Sequence, residues 1–217
     1  MVLRTIACAF ALSLIGLAVP AHAVATPPAK SPEQVVETIA NDLSNALDGH
    51  RQELKSDHKA LVGLIDKIVL PHFDIDYASI LVLGRHAREA TPAQRERFAH
   101  AFYDSITQRY AEGLLSYTRG RVKVLPDAGA LNDRRTVVRT RVALDDGKTV
   151  SVDYVFRKTR SGEWKAYDVV IEGISYVTNY RAQVDAEIRK VGIEGLIAHL
   201  ETQGVDALKP VDDGKNG

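Results

Sequence analysis

Helical and strand-like hydrophobic patterns occupy separate parts of the chain. Apolar residues recur at helical spacing over 32–47, 57–70, 74–83 and 92–116, and again over 178–191. Gly192 is predicted to break this last helix, and a further short helix follows with Leu196, Ile197 and Leu200. Over 122–172 the apolar and polar residues alternate instead with a period of two. Helices followed by strands and then by helices, without alternation of the two, predict an α+β fold.

The longest predicted helix carries a continuous apolar and aromatic stripe. Its start, Thr91-Pro92-Ala93-Gln94, has a capping threonine, a proline at the first helical position and a glutamine that completes a capping box. Ser31-Pro32-Glu33-Gln34 repeats these signals at the first helix. The stripe of the long helix follows at intervals of four residues: Phe98, Phe102, Ile106, Tyr110 and Leu114.

The alternating region predicts four short antiparallel strands with one apolar face. Val138 and Val142 alternate with arginines in the second strand, and Val152 and Tyr154 alternate with polar residues in the third. The fourth strand, Trp164 to Glu172, is predicted to place Tyr167, Val169 and Ile171 on one face. A curved four-stranded sheet packed by helices on one face encloses a wedge, which is either filled by side chains or left open as a pocket.

The first 23 residues have the pattern of a secretory signal peptide. Arg4 precedes an apolar run over 6–19, and Ala21-His22-Ala23 supplies a small-x-small cleavage site. The run is short for an uncleaved membrane anchor, which is the alternative. We expect a linker over 24–30, one domain over 31–203 and a flexible tail over 204–217.

Charge and cysteine usage narrow the possible functions. Lysine plus arginine and aspartate plus glutamate both number 28, which gives a net charge of zero and argues against nucleic-acid binding. Cys8, the only cysteine, would leave with the signal peptide. A metal site at His72-Phe73-Asp74-Ile75-Asp76 is less favoured than a helix start, where carboxylates accept from free N–H groups. We therefore expect no metal and no cofactor.

Asp168 is the one candidate for a catalytic carboxylate. It lies in the fourth predicted strand, and no histidine is near it in sequence to act as a partner. A structural bond to backbone or to an arginine is the favoured interpretation. A group of five arginines favours a solvated helix face over a docking surface for acidic groups: Arg85, Arg88, Arg95, Arg97 and Arg109.

Three segments, in order along the chain, resemble the MlaC family of periplasmic phospholipid carriers, also called toluene-tolerance proteins. The first is Leu81-Val82-Leu83-Gly84 with Ala90 to Arg95, Phe98 and Phe102. The second is Trp164 to Val169 with Glu172 to Ser175, and the third is Gly192-Ile193-Glu194-Gly195-Leu196. The resemblance extends over about residues 33–203.

The resemblance implies an NTF2-like fold around a deep apolar pocket that holds acyl chains and leaves the lipid head group near solvent. Members of the MlaC family shuttle phospholipid between an outer-membrane lipoprotein–porin complex and an inner-membrane ABC transporter with a lipid-binding ring. This transport maintains the lipid asymmetry of the outer membrane. We therefore expect a monomeric, non-enzymatic carrier in the periplasm. His86-Ala87 replaces aromatics common in the family, and a hopanoid-linked branch leaves the lipid class open.

The predicted lipid-binding residues come from the long helix, the start of the short helix over 74–83 and the alternating strands. They are Phe73, Tyr77, Phe98, Phe102, Ile106, Tyr110, Val138, Val142, Val152, Tyr154, Tyr167, Val169 and Ile171. Two other functions remain open. One is an enzyme on a cone-shaped fold with Asp168 as acid or base, and the other is a structural protein whose core is filled.

Overall fold

The computed structural model describes residues 29–115, 120–126, 132–144 and 147–208. The predicted signal peptide, the linker up to residue 28 and the end of the predicted tail from residue 209 lie outside these ranges. Asp145 and Asp146, in the turn predicted between the second and third strands, lie outside them as well.

The described residues form six α-helices and five β-strands, which confirms the predicted α+β class. The helices are α1 Pro32–Leu47, α2 Arg51–Ser56, α3 His58–Ile68, α4 Ile75–Leu83, α5 Pro92–Leu114 and α6 Tyr176–Gln203. Short 3₁₀ turns cover Leu70–His72, Gly84–Arg88 and Gly204–Ala207. Among the helices described, none combines the length and apolar character needed to cross a bilayer.

The strands form one antiparallel sheet in sequence order. They are β1 Val122–Val124, β2 Arg135–Ala143, β3 Thr149–Lys158, β4 Trp164–Ile171 and β5 Ile174–Ser175. The prediction of four strands is therefore wrong by one. β5 pairs with the end of β4 after a tight turn in which Glu172 and Gly173 both have positive φ. A strand of two residues is too short to show an alternating pattern.

The two predicted capping boxes are present. Ser31 and Gln34 bond reciprocally at the start of α1, and Thr91 and Gln94 do so at the start of α5. The sequence pattern did not predict α2, because Leu54 is its only buried residue and a single apolar position shows no period.

A β-bulge in the β3–β4 pair changes which residues share a face. Val155 lies opposite Asp168, but Phe156 lies opposite Ala166, so one extra residue of β4 is inserted between them. As a result, Tyr167 packs in a different cluster from Ala166 and Tyr154. The prediction that Tyr167 shares a face with Val169 and Ile171 is wrong, since Val169 pairs with Tyr154.

The buried side chains form three clusters. The largest joins α4, α5 and α6 with Tyr167, and the second joins α1 with the apolar face of the sheet. The third joins Leu47 of α1 with α3 and the end of α5. Phe73 packs against both of the first two clusters. It lies at the sheet edge, where the Asp74 N–H donates to the Ala166 carbonyl at 2.7 Å.

The C-terminal region agrees with prediction at one place and differs at another. The predicted break at Gly192 is present, because Gly192 has non-helical backbone angles, with φ of 73°, and divides α6 into two helical segments at a kink. The residues directly after α6 are not a free tail, because Val205 and Leu208 are buried in the cluster of α4, α5 and α6.

The kink makes one neighbouring glycine necessary. A Cβ on Gly195 would lie 2.8 Å from the Cβ of Val191, whereas a Cβ on Gly63 of α3 would meet nothing within 4 Å. We predict that Gly195→Ala lowers the unfolding free energy and that Gly63→Ala raises it by about 0.5–1 kcal/mol through helix propensity. Urea denaturation measures both. An equal gain from both substitutions would contradict the close approach at the kink.

Candidate functional site

The apolar stripe of α5 passes from the sealed core to solvent. Phe98 is 0% exposed and Phe102 is 7% exposed, with their rings stacked at 5.4 Å. Ile106 is half-buried, and Tyr110, one turn further, is 42% exposed. The second half of this stripe is therefore apolar surface that the rest of the chain leaves partly open.

The apolar face of the sheet shows the same gradient. Val138 is 2% exposed beneath α1, whereas Val142 and Val152, further along the same face, are half-buried. Ile171 lies opposite Val152 and is half-buried as well. Ile174 pairs with Ile171, so it continues this face, and it is 61% exposed. The face is closed at one end and open at the other.

Helix packing explains why the face stays half open. α1 packs on β1 and β2, and Val35 and Val36 bury the end of the face that includes Val138. The main packing partners of α5 are α3, α4, α6 and the 3₁₀ turn after α6. No strand is among them, so α5 stands beside the sheet rather than on it.

Tyr176 links the two open surfaces. It follows Ile174 by two residues at the start of α6, and its ring lies 5.9 Å from that of Tyr110. We call the open surface on both sides the apolar wedge. It consists of Ile106, Tyr110, Val142, Val152, Tyr154, Val169, Ile171 and Tyr176.

Aromatic and charged contacts join the start of α4 to β3 and β4. The rings of Tyr77 and Tyr167 meet edge to face at 5.0 Å. Arg157 lies 4.1 Å from the Tyr77 ring and pairs with Asp74, with Nη2 and Oδ2 2.6 Å apart. Asp74 also accepts from the Tyr77 N–H and so caps α4. This role agrees with the predicted helix start and leaves the carboxylate engaged within the protein.

The thirteen predicted binding residues fall into three environments. Phe98, Phe102, Val138 and Tyr167 are buried in the core clusters. Phe73, Tyr77, Ile106 and Tyr154 are partly buried against those clusters. Val142, Val152, Val169, Ile171 and Tyr110 are half-buried or exposed outside the buried core. Tyr176 was missed, because it precedes the predicted helix and has no periodic partner.

Two cavities lie elsewhere in the described structure. One, of about 670 Å³, lies between α5 and the end of α6 and includes Asp104, Gln108 and Arg109. The other, of about 510 Å³, lies along α6 beside Asp185 and Arg189. None of the predicted binding residues lines either cavity. The first cavity is lined mainly by polar and charged groups, which do not suit hydrocarbon.

Asp168 has a structural role at the start of α6. It is 8% exposed and accepts from the Ser175 hydroxyl at 2.6 Å and from the Val177 N–H at 3.0 Å. These bonds satisfy the helix terminus, as the favoured interpretation of the sequence expected. Within the described ranges, no group of three or more His, Cys, Asp or Glu residues is arranged to hold a metal ion.

The arginines of the central helices lie mostly at the surface, as the favoured interpretation expected, and several form ion pairs within the chain. Arg97 bonds Glu194 and Glu201 of α6, and Arg109 pairs with Asp206. His86 is buried, with its ring nitrogens 2.8 Å from Asp185 and 3.3 Å from Glu89. Its polar contacts explain how an imidazole is accommodated at that position.

Burial keeps the tyrosine hydroxyls near the open end protonated. Desolvation raises the pKa of Tyr180, and the hydrogen bond to Tyr110 raises it further. Desolvation also raises the pKa of Tyr176. Hydroxyls of this kind remain neutral donors at physiological pH.

The fold and the wedge define a class of protein. It is a small α+β domain whose sheet has one apolar face, covered by a helix at one end and open at the other. The chain belongs to the MlaC family, whose model, "MlaC protein", matches residues 37–202.

Similar proteins of known name and structure agree with this family. The chain is 25% identical to the "Intermembrane phospholipid transport system binding protein MlaC" of Haemophilus influenzae, over 79% of this chain and 81% of that protein. It is 29% identical to the "Toluene tolerance protein ttg2D" of Pseudomonas putida, over 76% of each. The phospholipid-binding protein of Ralstonia solanacearum, solved in complex with a phospholipid, superposes with a TM-score of 0.71 at 27% identity. That match covers 81% of this chain and 97% of the other.

The structural role of Asp168 is testable with a matched pair of variants. We predict that Asp168→Asn lowers the unfolding free energy by about 1–2 kcal/mol. The amide nitrogen of asparagine cannot accept one of the two hydrogen bonds, and the remaining oxygen accepts the other without a negative charge. Asp153→Asn in β3 is the control, because the buried Oδ1 of Asp153 has no hydrogen-bond partner in the described structure. Thermal unfolding followed by circular dichroism compares them. Equal losses would contradict a specific capping role for Asp168.

Proposed function

We propose that this protein is a periplasmic carrier that binds the acyl chains of a phospholipid or related membrane lipid in the apolar wedge. The observation that carries the proposal is the half-covered apolar sheet face, together with an α5 stripe that has the same gradient of exposure. Support comes from the Ralstonia solanacearum relative, which was solved with a phospholipid.

The lipid tails would lie along the half-buried part of the wedge, with their ends toward the sealed core. Val142, Val152, Val169 and Ile171 would contact the tails from the sheet, and Ile106 would do so from α5. Phe73, Phe98, Phe102 and Val138 would form the closed end, and Tyr154 would lie where the wedge meets it. Tyr77 and Tyr167 would support that end through the packing of α4 against β4. The sheet then curves around the lipid in the manner of NTF2-like domains, and the head group stays near solvent beside Tyr110.

The energetics of hydrocarbon favour direct transfer between binding sites. Burying one methylene is worth about 0.8 kcal/mol, so two chains of about 16 carbons gain on the order of 25 kcal/mol before binding costs. Affinities saturate near about −20 kcal/mol, which makes release into water too slow for transport. A carrier of this kind therefore delivers its lipid where another apolar site meets the opening of the wedge.

Transfer between two membranes requires one partner at each membrane. The partners proposed are an outer-membrane lipoprotein–porin complex and an inner-membrane ABC transporter with a lipid-binding ring. The cargo is a phospholipid or, in a hopanoid-linked variant of the system, another lipid, and the monomer is the carrying unit. This route maintains outer-membrane asymmetry. The name of the Haemophilus influenzae relative, an intermembrane phospholipid transport protein, supports it.

Carriage requires no catalytic group. Both oxygens of Asp168 accept hydrogen bonds at the start of α6, which leaves this carboxylate poorly placed to act as acid or base. The protein is therefore proposed to carry lipid without chemical change. Turnover of a lipid ester by the wild type that disappears in Asp168→Asn would favour the enzyme instead.

Acidic substitutions on one face of a strand test the wedge. We predict that Val142→Glu or Val152→Glu reduces co-purifying lipid to less than about a tenth of the wild-type amount, because a carboxylate is strongly disfavoured against hydrocarbon. Ala143→Glu and Thr149→Glu are the controls, since these exposed residues lie on the opposite face of the same strands. Native mass spectrometry of protein purified without detergent measures lipid occupancy.

Two results would count against the proposal. Folded Val142→Glu and Val152→Glu proteins with unchanged lipid would show that this face does not contact the tails. Wild-type protein without bound lipid, isolated from cells and after incubation with phospholipid vesicles, would support the structural protein with a filled core. Circular dichroism spectra establish that each variant is folded.

A further inference from the structure

Three tyrosines meet at the open end of the wedge. The hydroxyls of Tyr110 and Tyr180 are 3.2 Å apart. The Tyr176 ring lies 5.9 Å from that of Tyr110 and 6.1 Å from that of Tyr180. We call these residues the tyrosine cluster. Tyr180 is buried, Tyr176 is half-buried and Tyr110 is 42% exposed, so the cluster spans the change from core to solvent.

The cluster has more hydrogen-bond donors than its own contacts use. Each tyrosine carries one O–H donor, and the bond between Tyr110 and Tyr180 uses only one of the two donors in that pair. The raised pKa values of Tyr176 and Tyr180 keep both hydroxyls protonated at neutral pH. At least one donor therefore remains for an acceptor from a ligand.

The charge around the cluster indicates which acceptor it suits. Arg109, whose guanidinium carbon lies 6.0 Å from the centre of the Tyr110 ring, forms an ion pair with Asp206. Its charge is thus partly neutralised by a partner of the same chain. Neutral donors beside a compensated cation favour an uncharged carbonyl oxygen over a phosphate, which is bound best by free arginine or lysine.

We propose that the tyrosine cluster binds the ester carbonyl oxygens that join the acyl chains to glycerol in a diacyl lipid. This inference rests on the proposed function. In such a lipid the esters lie between the apolar tails and the charged head group. In the wedge the tyrosine cluster lies between the closed apolar end near Phe98 and solvent. The lipid and the site therefore change from apolar to polar in the same direction, with the esters at the level of the tyrosines.

Comparison of ester-linked with ether-linked lipid tests the proposal. Dialkyl ether phosphatidylcholine keeps the chains and the head group of the diacyl lipid but lacks the carbonyl oxygens. Protein is incubated with vesicles that contain the two lipids in equal amounts, and native mass spectrometry measures the ratio of the two complexes. We expect the ester complex to exceed the ether complex by about 3- to 10-fold, as one or two neutral hydrogen bonds would give.

Removal of single hydroxyls locates the source of this preference. Tyr110→Phe and Tyr176→Phe are each expected to lower the ratio of ester-lipid complex to ether-lipid complex toward one. Uptake of the ether lipid itself should be unchanged. Tyr103→Phe is the matched control, because the Tyr103 hydroxyl lies on the same helix but donates to Asp66 at 2.9 Å. It should retain the full preference.

The outcomes separate this inference from the proposed function. Equal uptake of both lipids by the wild type, or a preference that persists in both Tyr110→Phe and Tyr176→Phe, would overturn the role of the cluster and leave lipid carriage intact. Failure of the wild type to take up either lipid would overturn the carrier proposal and this inference together.

Discussion

The apolar face of the sheet is longer than the surface that α1 covers. α1 has 16 residues and a length of about 24 Å, and only its first half, around Val35, Val36 and Ile39, packs on the strands. Its second half reaches Leu47, which packs with α3 and α5 instead. The strands continue past this contact with valines and isoleucine. Half-exposed β-branched side chains in register across three strands form the surface on which the proposed function depends.

Because of the β-bulge between β3 and β4, neighbouring residues of β4 have different roles on the two faces of the sheet. After the bulge in β4, Val169 and Ile171 continue the open apolar face. At the bulge itself, Tyr167 packs against Tyr77 and Asp168 caps α6, so both serve the helices on the other side. One inserted residue thus provides both an open face for a ligand and a fixed attachment for α4 and α6.

The sequence predicted the features that depend on local chemistry. Capping boxes, the stripe of α5 and the alternation of β2 and β3 are set by residues close together in the chain, and each is present. The bulge, the two-residue β5 and the tyrosine cluster depend on contacts between distant segments. Tyr110 and Tyr176 are 66 positions apart, and no local period relates them. Side-chain period alone also gives no information on which half of an apolar face a helix will cover.

Photocrosslinking tests most directly whether hydrocarbon occupies the wedge. A phospholipid with a diazirine near the end of one acyl chain would be loaded into the protein, irradiated and mapped by peptide mass spectrometry. Tails in the wedge would give adducts on Val142, Val152, Val169 or Ile171 of the sheet and on Ile106 or Tyr110 of α5. Adducts confined to the two cavities, beside Gln108 and Gln203 or beside Asp185 and Arg189, would show that lipid binds elsewhere and contradict a carrier built on the open sheet face.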